Sequence, residues 1–228
     1  LSAQRFGITV VGGHTEVTAG LDRPILVGMM LGEVPRGRVI TSAGAQVGDR
    51  ILLTKGVAVE GTAIIARERR ELLRDLGYDE QTLQRAAQML HQPGISVLTE
   101  AQAAVRAAEI HAMHDPTEGG LATGLHELAL AAGVGLAVEY DAIPIFPETA
   151  RMCADLGLDP LGLIASGSLL ITTAAPDAPA VIAACRAQGV DCTDIGEVVS
   201  AEQGVRIRRD GCWRDLPRYD QDEITRLF

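Results

Sequence analysis

Lysine is almost missing from this sequence. Among 20 basic residues only Lys55 is Lys, and the rest are Arg. A compact, mobile ammonium is not replaced by a planar guanidinium, so Lys55 is a candidate for a specific contact, with an incidental surface position as the plain alternative. Positive charge is short overall: 30 acidic residues leave a net charge of −10. Phosphate backbones are held by clustered Lys and Arg, so a nucleic-acid partner is not expected, and the charge reads as solubility. No apolar run reaches the roughly 20 residues that a membrane helix needs, and no basic segment leads into an apolar one as in a secretory signal. Cysteine is sparse. Cys153, Cys185, Cys192 and Cys212 show no C-x-x-C spacing, unlike a dense disulfide scaffold; they read as reduced packing thiols of a cytoplasmic protein. The patterns GxSxG and GxxxxGK[ST] are absent as well, which removes the hydrolase elbow and the P-loop.

The sequence does have apolar residues, 47% of 228, enough for one large globular domain or two small ones. Strand patterns occupy Phe6 to Val11, "ILVGMMLGEV" through Glu33, Val39 to Thr41, and Arg50 to Thr54 behind a Gly48-Asp49 turn. From Glu60 the period becomes helical, with Ile64, Ile65, Leu72, Leu73 and Leu76 before Gly77, and a second helix runs from Asp79 to His91. Beyond Pro93-Gly94 come a helix at 100–108, a short strand at 109–114, a helix opened by "DPTEGG", a strand at 136–139 and a helix at 148–156. "SGSLLITT" is a strand, 178–188 a helix, and "CTDIGEVV" and "GVRIRR" close a sheet. Strands alternating with helices predict an α/β or α+β layered fold. A boundary near Pro93 divides it into residues 1–92 and 93–228. The first unit is too poor in core to close on itself, and the chain opens on Leu1 rather than Met. An upstream portion is therefore expected to be missing or supplied by another chain, leaving a sheet edge that invites pairing.

Three stretches carry candidate chemistry. In "VVGGHTEVT", Gly12 and Gly13 let backbone approach a ligand, and Thr15 and Glu16 offer oxygen ligands suited to Mg²⁺; a bulge or tight turn explains the glycines equally. In "LLTKGVAVEG", a strand ends at Lys55-Gly56 just before a helix, whose N-terminus attracts anions; an ordinary strand-to-helix connection is the alternative. In "MHDPTEGGLATGLHELALAAG", Asp115, Pro116 and Glu118 make a helix start by cap, N1 proline and first-turn carboxylate. They leave Gly119 and Gly120 unexplained, since each costs about 1 kcal/mol inside a helix; close approach of a ligand or of another backbone is the reason to expect. His111, His114 and His126 with Asp115 form a weaker metal set. The run "RERRELLRD" reads as a solvated helix face.

Together "VVGGHTEVT", "GDRILLTKGVAVEGTAIIA", "MHDPTEGGLATGLHELA" and "LGLDPLGLIASGSLLIT" resemble, in order, the AIR synthase superfamily. That group includes AIR synthetase (PurM), thiamine-monophosphate kinase, selenophosphate synthetase and the hydrogenase maturation factor HypE. The HypE-like, AIR synthase-related branch is most similar, since "DPTEGGLA" matches its D-[AP]-T-x-G-G-[LV] motif. The resemblance implies a two-domain PurM-like architecture, here a truncated N-terminal domain and a complete C-terminal α/β sandwich, in a cytoplasmic homodimer paired through N-terminal sheets. It implies ATP and Mg²⁺ in a cleft. Gly12, Gly13, His14 and Thr15 would lie at the nucleotide with Gly56, while Thr117, Gly119 and Gly120 face substrate and phosphates. Lys55 and Asp115 would be catalytic, and Glu16 and Asp115 would serve the metal. The glycine pair and the helix after Asp115 are expected to converge on one phosphate-holding cleft. Two departures stand out. His14 occupies a position where many relatives have an acid, and imidazole is a poor Mg²⁺ ligand. The last cysteine is Cys212, whereas HypE ends in one. The expected activity is ATP-driven phosphorylation of an amide, carbamoyl or similar oxygen in a small molecule; the alternative is a non-catalytic nucleotide- or partner-binding module. The 228-residue chain alone is expected to bind ATP weakly or not at all.

Overall fold

The buried hexamer "DRILLT" lies in the middle of one seven-stranded sheet and organises most of the molecule. The computed structural model describes residues 2–228 and divides into two units, one up to Arg38 and one from Val39 to Phe228.

The first unit holds helix α1, Ser2–Arg5, closed by the Ile8 N–H donating to Ala3 O at 2.8 Å. Residues 8–38 contain no helix or strand. The strands expected at 6–11 and 25–33 are thus not formed, and neither is the one at 39–41. These segments have the β-branched composition of strands, but a strand is stable only against a ladder partner, and none pairs with them here. Val11, Val17 and Leu26 are 94%, 98% and 98% exposed. The Pro35–Arg38 turn does form, with Gly37 at φ 79°.

The second unit runs β1 (Asp49–Thr54), α2 (Val59–Glu68), α3 (Arg70–Asp75), α4 (Glu80–Gln88), α5 (Leu98–Ala107), β2 (Ala112–His114), α6 (Gly120–Ala132), β3 (Gly135–Glu139), α7 (Pro147–Leu156), β4 (Leu170–Ala174), α8 (Ala178–Ala187), β5 (Cys192–Val199), β6 (Val205–Arg209) and β7 (Cys212–Asp215). The sheet order is β2-β4-β1-β5-β3-β6-β7. Only the β3–β6 pair is parallel. Leu52 stands opposite Ile171 of β4 and Asp194 of β5.

Period-2 alternation sends β1 side chains to both faces. Ile51 and Leu53 join Leu121, Leu125, Leu128 and Met152 under α2, α6 and α7. Leu52 points the other way, to Ala104 of α5 and Val181 and Cys185 of α8. Each such side chain, fully buried, contributes about 1.5–3 kcal/mol. The result is a mixed α/β fold with helices on both faces of the sheet. Gly196 lets β5 approach β3, where a Cβ would strike Ala137 O.

Two helices differ from expectation. The helix expected from Glu60 to Leu76 is two, α2 and α3, joined at the non-helical Arg69 (φ −115°). The helix expected to open at Pro116 opens at Gly120 instead. Gly119 and Gly120 have φ of 73° and 67°, and two left-handed residues in succession cannot continue a right-handed helix. Residues 116–119 are therefore a turn.

Candidate functional site

The strand β1 delivers Thr54 and Lys55 to an interior loop. Lys55 and Ala58 are both left-handed, at φ 57° and 56°, which is uncommon for side chains with a Cβ. Surrounding contacts hold that conformation. The Lys55 ammonium pairs with Glu100 Oε1 at 2.7 Å. It also donates to Ser96 O at 2.7 Å, Gly167 O at 2.9 Å and Gly94 O at 3.2 Å. The three protons of Lys55, expected to meet a phosphate, are thus all spent on four oxygens inside the protein. A Cβ on Gly56 would come within 2.8 Å of the Phe146 ring and 2.9 Å of Pro144 O. Gly56 O accepts the Ser168 hydroxyl at 2.7 Å. Close backbone packing therefore accounts for Gly56.

The turn Asp115–Gly119 links β2 to α6. Pro116 is buried, while Asp115, Thr117 and Glu118 are exposed. Thr117 O accepts N–H bonds from Gly120 and Ala165, each at 3.1 Å. The Gly119 N–H donates to Asp222 Oδ2 at 2.7 Å, and the Ala122 N–H donates to Leu161 O at 2.9 Å. A Cβ on Gly120 would run into Leu161 O and Leu163 O. Another backbone, then, approaches the glycine pair. Hydrogen bonds from its own N–H and then from the Thr117 hydroxyl hold the Glu118 carboxyl below the usual carboxylate range. Asp115 carries a carboxylate that bonds to none of the described residues.

Gly12, Gly13, His14, Thr15 and Glu16 belong to the first unit and are exposed. A Cβ at Gly12 or Gly13 would meet nothing within 4 Å, and neither has a positive φ. No turn or bulge in the described residues demands glycine there.

The histidines are engaged separately. His111 Nδ1 lies 2.8 Å from Asp49 Oδ1. His126 Nε2 donates to Leu216 O and Pro217 O, both at 3.2 Å. His114 bridges Glu127 Oε2 at 2.9 Å and Ser42 Oγ at 3.1 Å. A carboxylate only accepts, so His114 donates from Nε2 to Glu127, while the Ser42 hydroxyl donates to Met113 O at 3.2 Å. Among the described residues no three His, Cys, Asp or Glu side chains gather as a metal set. His111, His114, His126 and Asp115, the weaker metal set of the sequence, are thus not brought together among the described residues.

Sequence reasoning missed Glu100, Ser42, Glu127 and Asp222. Only Asp222 left a trace, as the N-cap of "EITRL", whose Ile224 N–H it accepts at 2.9 Å. Its bond to Gly119 joins segments 103 residues apart, beyond any local pattern.

Comparison with known proteins gives a consistent picture. Residues 46–208 match the family described as AIR synthase related protein, C-terminal domain. Over 205 residues the chain is 37% identical to carbamoyl dehydratase HypE of Cupriavidus necator, covering 87% of this chain and 54% of that relative. The crystal structure of Escherichia coli HypE superposes with a TM-score of 0.68 at 27% identity, over 86% of this chain and 58% of that one. A HypE structure in complex with ATP shares the fold, with a TM-score of 0.58 at 24% identity over 81% and 55% of the two chains. The chain thus spans about half the length of the curated relatives it matches.

Proposed function

The chain belongs to the AIR synthase-related protein family, and from that premise we propose that it acts with ATP and Mg²⁺ on a small molecule bearing an amide, carbamoyl or similar oxygen, phosphorylating that oxygen so that it can leave. The observation that carries this reading is Asp115. It stands exposed on a turn whose neighbouring glycines and amides are fixed by packing, yet its carboxylate serves no fold contact. A hard oxygen donor so placed suits Mg²⁺, which prefers carboxylates, water and substrate phosphates. Asp115 would be a ligand of the metal, Glu16 of the first unit is a separate candidate oxygen donor, and the metal would supply charge neutralisation at the phosphoryl group.

Each further residue has a role in this reading. Gly12 and Gly13 offer uncrowded backbone to phosphates, with His14 and Thr15 beside them. Gly56, Thr117, Gly119 and Gly120 shape the phosphate- and substrate-facing loops. With its protons spent internally, Lys55 acts as a positioning residue that fixes the Gly56–Ala58 backbone. The exposed apolar residues between Val10 and Val34 pair with a second copy of the chain.

One observation favours a second reading, a non-catalytic nucleotide- or partner-binding module. Both the single Lys and the amides of Gly119, Gly120 and Ala122 at the start of α6 are satisfied within the protein. Phosphate release from Mg²⁺-ATP by the full-length gene product, with and without a carbamoyl or amide substrate, separates the two. Substrate-dependent release is the expected result. Nucleotide binding without turnover on any such substrate would leave the module.

A further inference from the structure

The C-terminal segment Leu216–Phe228 bonds to the Asp115–Gly120 turn of the reading above. Its Asp222 accepts from three backbone amides: Gly119 N–H donates to Oδ2 at 2.7 Å, and Ile164 N–H at 3.2 Å and its own segment's Ile224 N–H at 2.9 Å both donate to Oδ1. Gly119 is the N-cap of α6, where partial positive charge favours an anion. The carboxylate is thus seated where the proposed chemistry needs a phosphate or a substrate anion.

The rest of the segment is tied down at both ends. His126 of α6 holds Leu216 O and Pro217 O. Glu223 accepts the Asp159 N–H at 2.8 Å, and Arg226 donates to Gly157 O at 2.9 Å. Arg69 donates to Leu227 O and lies 4.1 Å over the Phe228 ring. Tyr219 sits against Gly162, where a Cβ would come within 2.5 Å of its ring. Tyr219 also lines two cavities, of about 280 and 510 Å³, shared with Arg218 and Asp220 on one side and Arg209 and Arg226 on the other. Leu216 belongs to the core, and Tyr219, Ile224 and Leu227 pack against it, so the backbone of the strap is held while the Asp222 side chain, half-buried, has only hydrogen bonds to give up.

We propose that Asp222 is an internal competitor. The segment 216–228 latches the Asp115–Gly120 turn shut, and a phosphate-bearing ligand binds there only by displacing the Asp222 carboxylate from the Gly119 and Ile164 amides. This rests on the phosphate-facing role given to that turn above. A ligand and a latch that share one amide pair are linked reciprocally: weakening the latch strengthens the ligand, and the ligand loosens the latch.

The test uses the 228-residue chain, with inorganic phosphate as probe and ATP in a second arm. Amide exchange at Gly119, Ile164 and Ile224 reports the latch, and shifts of residues 117–120 in NMR titrations report binding. Asp222→Ala and Asp222→Asn are expected to speed Gly119 exchange and to raise phosphate affinity about tenfold, within the usual range of coupling between sites. Phosphate added to the unaltered chain is expected to speed exchange at Ile224. A variant whose Gly119 amide is freed while phosphate affinity stays unchanged would overturn the latch and leave Asp222 a structural cap. So would a Gly119 amide that stays protected in both variants. Should both variants unfold, unchanged Ile224 exchange in the unaltered chain at high phosphate overturns it. Loss or survival of ATP turnover does not enter these readouts, so the latch and the enzymatic reading fail separately. A response to ATP but not to phosphate assigns the competition to the nucleotide and refutes a phosphate-only site.

Discussion

Lys55 Nζ and Glu100 Oε1 stand 2.7 Å apart, with side chains 4% and 1% exposed. The pair joins the end of β1 to the first turn of α5, and the remaining Lys55 donors pin the loops at residues 94–96 and 167. An ion pair this deep brings little net stability, because desolvation offsets the attraction. Breaking it is different, since an uncompensated charge stays buried. Lys55→Met is expected to cost about 3–5 kcal/mol, measured by chemical denaturation. Lys55→Arg should restore little of it, because a planar fork does not fit three carbonyls and a carboxylate arranged around a point charge. A Lys55→Met protein of undiminished stability, with nucleotide affinity alone reduced, would return Lys55 to a direct phosphate contact.

Gly120 should be the least replaceable glycine of the DPTEGG turn. Its φ of 67° is a left-handed conformation, and its missing side chain makes room for Leu161 O and Leu163 O. Both penalties are backbone penalties, which no flexible neighbour relieves. Gly120→Ala is expected to destabilise by at least about 2 kcal/mol, from left-handed strain alone at 1–2 kcal/mol plus the collision. A melting temperature within a degree of the parent would contradict the packing described for this turn.

Much of the second unit can be read in the sequence because its local signals agree. Gly48-Asp49 before a continuous apolar run marks β1, and Pro147 and Gly157 bracket α7 with a first-turn proline and a left-handed cap. Gly189 marks the end of α8. The failures have physical causes. Ile25 to Glu33 has strand composition, but composition cannot supply a ladder partner. Asp115-Pro116 imitates a helix start, yet two left-handed glycines postpone the helix to Gly120. The candidate site was legible as residue types and not as partners. Nothing local to Lys55 points to Glu100, and nothing local to Gly119 points to Asp222.

The protein should lose stability in alkali, and Cys153 is one reason. This thiol is 3% exposed, and burial, followed by the charges of Asp159 and Glu223, pushes its pKa from 9.0 up to about 12. The folded state therefore holds the proton more tightly than the unfolded state does. Its contribution is complete below about pH 9 and disappears as the pH rises toward 12, with a slope of about 1.4 kcal/mol per pH unit for one proton. Burial and a hydrogen bond to Asp155 raise Tyr78 as well, which steepens the fall above pH 10. Melting curves from pH 7 to 11 should show the decline, and Cys153→Ala, though less stable at pH 7, should flatten its first part. Thiol reagents at pH 8 should modify the exposed Cys212 and spare Cys153, Cys185 and Cys192. An equal rate at all four would mean that the buried thiols are not held as described.

Asp115 and the Gly12-Gly13 pair should separate activity from stability. Asp115 makes no fold contact, and added methyls at Gly12 and Gly13 meet open space. Asp115→Ala, Gly12→Ala and Gly13→Ala should each change stability by less than about 0.5 kcal/mol. In the full-length product Asp115→Ala should lower ATP-dependent phosphate release by about 10²–10⁴-fold, the range for losing a group that handles protons or positions charge. Full turnover in Asp115→Ala would remove it from the chemistry while leaving the fold assignment intact.

The first unit should associate. Residues between Val10 and Val34 expose Val11, Val17, Leu26, Val27, Met29 and Leu31, each more than four-fifths accessible. A soluble monomer seldom leaves so much apolar surface on one stretch. Because the segment joins no helix or strand among the described residues, its backbone N–H and C=O groups are also available to pair edge to edge. None of these side chains belongs to the clusters that hold residues 39–228 together, so their replacement should spare that core. Sedimentation of the 228-residue chain is expected to show concentration-dependent dimers or larger species. The double variant Val11→Lys, Leu26→Lys should shift it toward monomer with little change in the cooperative melting of the second unit. A chain that sediments as a monomer at high concentration, before any substitution, would rule out pairing through this segment and leave its apolar residues without a partner of their own kind.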